Sequence, residues 1–184
     1  MLGLDNTKEA MLYYLFMMSD GDVSDSEKKL FAKICKEIKI NKEEKKAVID
    51  NCIILAKNYE KVFDLITGEE LDDQVGRGWF GLKDASTLAR IIWNLVNLGY
   101  ADTDYSENER KIVDHLLVKW EIKPEVYQEM VDTADTMLTL IKQKEWLIST
   151  FPEGSSRDEK KIKINSEIKT LLSDIKLTID ELTM

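Results

Sequence analysis

The stretch MLYYLFMMSDGDVSDSEKKLFAKICKEIKI, residues 11–40, decides the fold. Its opening, MLYYLFMM, is apolar on every side of a helix, which predicts an element in the middle of a bundle. Its closing part places Leu30, Phe31, Ile34, Cys35 and Ile38 on one stripe of a second helix. Between them SDGDVSDSE (19–27) packs three aspartates and a glutamate into nine positions. The chain repeats this plan 82 residues later, where WNLVNLGYADTDYSENERKIVDHLLVKWEI (93–122) carries a second acidic turn, ADTDYSENE (101–109).

Laying residues 11–43 on 93–125 without gaps matches seven positions, among them Asp20/Asp102, Asp22/Asp104, Ser24/Ser106, Glu27/Glu109 and Ile40/Ile122. Ordinary residue frequencies give roughly two such matches. The spacing therefore predicts two pseudo-repeats of helix, acidic turn, helix and helix.

Working outward, the periodicity predicts an all-α compact bundle of about seven helices. They run over about Asn6–Met18, Asp25–Lys39, Lys42–Ile66, Ala85–Leu98, Glu107–Glu121, Pro124–Ser149 and Arg157–Leu182. Repeat 1 spans about 6–66 and repeat 2 about 84–149, joined by a linker at 67–83 whose Trp79 and Phe80 are expected to tuck against the bundle. The C-terminal segment 151–184 adds an amphipathic helix with the apolar face Ile164, Ile168, Leu171, Leu172, Ile175, Ile179 and Leu182. GRGWFG (76–81) lacks the Gly-Lys-Ser/Thr and the preceding strand of a phosphate loop. Capping signals are frequent: Ser24 with Glu27, Ser106 with Glu109, Asn41 with Glu44, Ser156 with Glu159, and Asp84 alone.

Composition narrows the function classes. The 184 residues hold two prolines and a formal charge of −9. Residues 155–184 carry six basic and six acidic side chains, so the whole excess lies on residues 1–154. An acidic body repels phosphate backbones, which argues against nucleic acid. Cys35 and Cys52 lie among apolar residues at helical spacing and read as core thiols in a reducing compartment. One histidine and no close cysteine pair exclude a zinc site. Neither a signal peptide nor an apolar run of membrane-spanning length is visible, so the expectation is a cytoplasmic protein without direct membrane insertion. His115 falls off the apolar stripe and reads as solvated; no catalytic constellation is present, so the expectation is not an enzyme.

The first turn, with Asp20, Gly21, Val23, Ser24 and Glu27, and the second, with Asp102, Ser106 and Glu109, resemble the tellurite-resistance protein B (TerB-like) family. Its domains carry an Asp-Gly-x-(Val/Ile)-Ser-x-x-Glu signature after a hydrophobic helix. The resemblance covers about residues 6–148 and implies an all-α fold. It leaves the last helix as an addition, and it suggests a stress-response (tellurite-resistance-like) or scaffolding role, extending to a membrane-associated complex. Tellurite is itself an oxyanion, which clustered carboxylates repel, so direct capture is not expected.

Two readings of the turns stay open. Capping accounts for Ser24, Glu27, Ser106, Glu109, Asn41 and Glu44. It leaves Asp20, Asp22, Asp102 and Asp104 unassigned, and these are either a solvated turn or, with Glu27 and Glu109, ligands of a hard divalent cation such as Ca, Mg or Mn. A calcium EF-hand loop is excluded, because its sixth and twelfth positions would be Asp25 and Phe31. The competing function is a protein–protein interaction module in which the turns are only caps. A protein partner is expected in either case, and the last helix offers a route to a homodimer.

Overall fold

The computed structural model describes residues 6–57, 62–67, 85–101 and 105–182. Among them the elements are eight helices: α1 (Asn6–Met17), α2 (Asp25–Glu37), α3 (Lys42–Ala56), α4 (Val62–Thr67), α5 (Ala85–Gly99), α6 (Glu107–Lys119), α7 (Pro124–Thr150) and α8 (Ser155–Glu181). The expected linker from residue 68 onward, with Trp79, Phe80 and the Asp84 cap, lies outside the described residues. None of the described helices is long and apolar enough to cross a membrane.

The chain divides into two compact units, Met1–Ile122 and Lys123–Met184. In the first, α1 packs against α2, α3, α4, α5 and α6. Leu12, Tyr13, Leu15, Phe16 and Met17 are fully enclosed, so a helix apolar all round does occupy the centre of its unit. Helix α5 packs on α1, α2 and α6 and buries Leu88, Ile91, Ile92, Leu95 and Leu98. The stripes on α2 (Phe31, Ile34, Cys35) and α6 (Ile112, Val113, Leu116) are buried as their spacing requires.

The expected single helix over 42–66 is instead α3 and α4, with α3 ending at a Lys57 cap. No glycine or proline marks that end. The reason is tertiary: α4 packs on α1 and α6, seating Leu65 and Ile66 in the core.

Helices α2 and α6 end alike. Lys39 (φ 63) and Glu121 (φ 54) sit in the left-handed region. The following Ile40 and Ile122 donate their N–H back to Cys35 O at 2.8 Å and Leu117 O at 3.0 Å. This is a Schellman ending, whose last residue is normally apolar, and it explains why isoleucine recurs at 40 and 122.

In the second unit α7 and α8 form a helical hairpin. Lys144 Nζ donates to Asn165 Oδ1 at 2.7 Å and Thr178 Oγ1 to Glu129 Oε1 at 2.9 Å, which pairs the start of one helix with the end of the other. Ile164, Ile175 and Ile179 of the expected apolar face are buried, whereas Leu172 is part-exposed. Helix α7 begins at Pro124, where a missing N–H costs nothing. The Ser156–Glu159 box is not formed: α8 opens at Ser155 after a Gly154 cap that has no side-chain hydrogen bond. Arg157 holds that end, donating to Phe151 O at 3.2 Å and pairing with Glu153 at 3.2 Å, so helix begins before Ser156 can cap it. The packing units thus meet at 122/123, whereas the repeat and composition place a division near 150.

Candidate functional site

The first acidic turn starts where α1 runs out of helical hydrogen bonds. Ser19 N–H still reaches Phe16 O at 3.0 Å, and Gly21 N–H reaches Met18 O at 3.2 Å. Gly21 adopts φ 96, a conformation costly for any residue with a Cβ. Asp20 Oδ1 accepts from the Asp22 N–H at 3.3 Å, and both aspartates are exposed. Ser24 then caps α2: its Oγ accepts from the Glu27 N–H at 3.2 Å, while Glu27 Oε2 accepts from the Ser24 N–H at 2.7 Å.

The second turn repeats the device with Ser106 and Glu109 at 3.2 and 2.9 Å. Asn41 and Glu44 close a third box at the head of α3. All three capping assignments therefore hold. Unlike an ordinary capping glutamate, Glu27 and Glu109 are almost completely buried, at 1% and 2% exposure. Before Ser106, Tyr105 packs its ring over Gly99, where a side chain would collide with it, and carries the Arg110 guanidinium 4.4 Å from its ring centre.

The head of α6 lies against the end of α1. Asn108 Nδ2 donates to Ser19 O at 3.3 Å, tying the first turn of α6 to the end of α1. Glu109 registers the same proximity: burial first, then the charges of Asp20 and Glu27, push its carboxyl up to about 7, against the pull of its hydrogen bonds at Ser106. Beside them the Ser19 hydroxyl is buried with no hydrogen-bond partner. Asp20 and Glu27 thus lie near enough to Glu109 to act on it, and Asp22 is tied only to Asp20, while Asp102 and Asp104 lie outside the described residues. Among the described residues no three acidic, histidine or cysteine side chains converge as a ready-made ligand set. What the cluster can do chemically is take up positive charge, as a proton or a hard cation, because neighbouring carboxylates repel when all are ionised.

His115 is not solvated as its place off the stripe suggested. It is half-buried, with Nε2 enclosed and unpartnered, and burial and then Lys119 lower its basicity. Helix α6 packs on α1, α4 and α5, so more of its circumference is covered than one stripe implies.

A second polar cluster went unread in the sequence. Glu9, 3% exposed, receives both Arg90 Nη1 and Nη2 at 2.7 and 2.9 Å, and Tyr13 Oη donates to it at 2.8 Å. Asn94 Nδ2 completes the chain on Tyr13 Oη at 3.0 Å. Burial, then the Glu9 charge, raises the Tyr13 phenol well above its ordinary value. The signal available was Glu9 four residues before Tyr13, at the edge of the apolar run of α1, and Arg90 as the charged residue of apolar α5. The network clamps α1 to α5.

Neither the curated proteins nor the solved structures contain a match to the chain. The family described as tellurite resistance protein TerB matches residues 7–132, a span that includes both acidic turns and their capping boxes. The chain belongs to the TerB family of tellurite-resistance proteins.

Proposed function

We propose that this protein is a non-enzymatic helical module that binds a divalent cation through its acidic turns, in a cytoplasmic stress-response or scaffolding role with a protein partner. The observation that supports the reading is the approach of Glu109 to the first acidic turn. Buried Glu109 stands close enough to Asp20 and Glu27 for their charges to raise its carboxyl, and Ser19, whose buried hydroxyl has no hydrogen-bond partner, precedes Asp20 in the chain. Holding buried Glu109 ionised beside these charges at neutral pH is costly unless a cation is shared, and oxygen donors of this type suit Ca²⁺, Mg²⁺ or Mn²⁺. Asp102 and Asp104 complete the candidate donor set. The cluster's negative charge argues against tellurite as the bound species.

Thermal unfolding with a divalent chloride, against sodium chloride of equal ionic strength, tests this. A cation at about 100 times its Kd stabilises by about 2.7 kcal/mol, which raises Tm by roughly 5–10 °C. Asp20→Asn with Asp22→Asn removes most of that rise. Equal shifts from both salts would leave screening as the cause.

The competing reading, an interaction module in which the turns are caps alone, is favoured by one observation: the three boxes already employ Ser24, Glu27, Ser106, Glu109, Asn41 and Glu44 in full reciprocal pairs. It predicts no divalent-specific stabilisation.

A further inference from the structure

The α7–α8 hairpin carries features that neither the acidic turns nor the family match uses. Near its connection a cavity of about 320 Å³ opens between the helices. Its apolar wall consists of Trp146, Leu147, Phe151 and Ile164, and Lys160 and Lys163 stand at its rim. The volume falls at the lower end of the range for small-ligand sites, ~300–1,000 Å³. Trp146 and Phe151 meet edge to face with ring centres 5.5 Å apart, yet remain 57% and 43% exposed. Aromatic area of this size left in water, beside a concavity, is what a ligand would cover. The Lys160 ammonium lies 5.7 Å from the Phe151 ring centre, so positive charge and apolar wall are contiguous. Glu167 also lines the cavity, 4.0 Å from Lys163, and leaves a local excess of one positive charge.

Charge selects the occupant. Residues 141–167 hold six basic and five acidic side chains, while the rest of the chain carries a net −10. Within this segment, unlike on the chain as a whole, an anion therefore meets no net repulsion. Its shape limits the occupant's size. Ile141 and Ile148, the other exposed apolar residues of this part of α7, lie about 140–160° around the helix from Trp146 at ~100° per residue. A groove for a partner helix would run on along α7 from Trp146, but the positions three, four and seven residues before it are Gln143, Lys142 and Thr139, and those three and four after it are Ser149 and Thr150.

We propose that this cavity binds a single-chain amphiphilic anion: an alkyl chain against Trp146, Leu147, Phe151 and Ile164, with its carboxylate or phosphate head between Lys160 and Lys163. The site is independent of the cation reading, since the two share no residue.

Calorimetric titration of the full-length protein with decanoate, below its micellar concentration, tests the assignment. The expected result is saturable one-to-one binding that strengthens from octanoate to decanoate by up to about fourfold per methylene buried. Decyltrimethylammonium, with the same chain and the opposite head, binds at least about tenfold more weakly. Each rim lysine contributes up to about fivefold, so Lys160→Gln with Lys163→Gln weakens decanoate and removes the preference for an anionic head. Trp146→Ala weakens both ligands, and unchanged helicity by circular dichroism certifies each variant. Absence of saturable binding overturns the proposal, as does equal affinity for the two heads. Binding to phosphatidylglycerol vesicles without binding of free decanoate overturns it too, making the hairpin end a bilayer contact.

Discussion

Replacing Glu109 by Gln separates what this buried carboxyl does for the fold from what its charge does. Glutamine keeps an oxygen to accept from the Ser106 N–H, so the capping box survives. The charge does not. In the folded protein the carboxyl is raised from 4.5 to about 7. A raised acid favours the folded state fully below the unfolded value; that contribution fades as pH climbs through the interval and is gone above 7. At 1.36 kcal/mol per unit the ceiling is about 3 kcal/mol, and screening together with local relaxation reduces the expected effect to about 1–2 kcal/mol. The wild type should lose this stability between about pH 4.5 and pH 7, while the Glu109→Gln protein should not. The variant is then more stable by about 1–2 kcal/mol near pH 8 and nearly equal to the wild type near pH 4.5. Urea unfolding at both pH values, followed by circular dichroism and by tryptophan fluorescence, measures the difference. A variant less stable than the wild type at pH 8 would refute the reasoning, because the ionised carboxylate would then be a net favourable cap. An identical difference at both pH values would also refute it, since the titrating group would lie elsewhere. Under the cation reading, saturating Mg²⁺ or Ca²⁺ near pH 8 narrows the gap, because the wild type alone keeps the full donor set.

Three further outcomes follow from the packing. Lys39→Gly or Glu121→Gly places glycine where φ is 63 or 54 and should raise stability by about 0.5–1 kcal/mol in denaturant titrations, the relief of a left-handed side chain outweighing glycine's entropy cost. Arg90→Ala strands the buried Glu9 carboxylate and should cost about 2–3 kcal/mol, whereas Glu9→Leu with Arg90→Met should recover most of the loss, a contrast a double-mutant cycle reads directly. Burial raises the Cys35 thiol to about 11 and the Cys52 thiol to about 12, so maleimide labelling near pH 7.5 should be slow in the native protein and immediate in urea; fast native labelling would show that these thiols are not enclosed.

Reading the residues in order recovers whatever short-range physics controls. The α1 run MLYYLFMM is apolar on all sides and could only be stable at a centre. Ser24 with Glu27, Ser106 with Glu109 and Asn41 with Glu44 are caps because each pair satisfies helix-end donors three residues away. The same logic failed at Ser156 and Glu159, where a competing contact, Arg157 on Phe151 O, starts the helix earlier.

What depended on the chain folding back was not legible. Nothing local in residues 57–61 announces the end of α3; the seat that α4 takes on α1 and α6 does. The pairing of Glu9 with Arg90 spans 81 positions, and that of Asn108 with Ser19 spans 89. No periodicity within one helix reports contacts at such separations. Sequence placed two acidic turns after two hydrophobic helices and identified their caps. Only the tertiary structure brought Glu109 to Asp20 and Glu27, because burial and Coulomb repulsion act through space and turn an exposed-looking capping glutamate into a buried carboxyl raised by its neighbours.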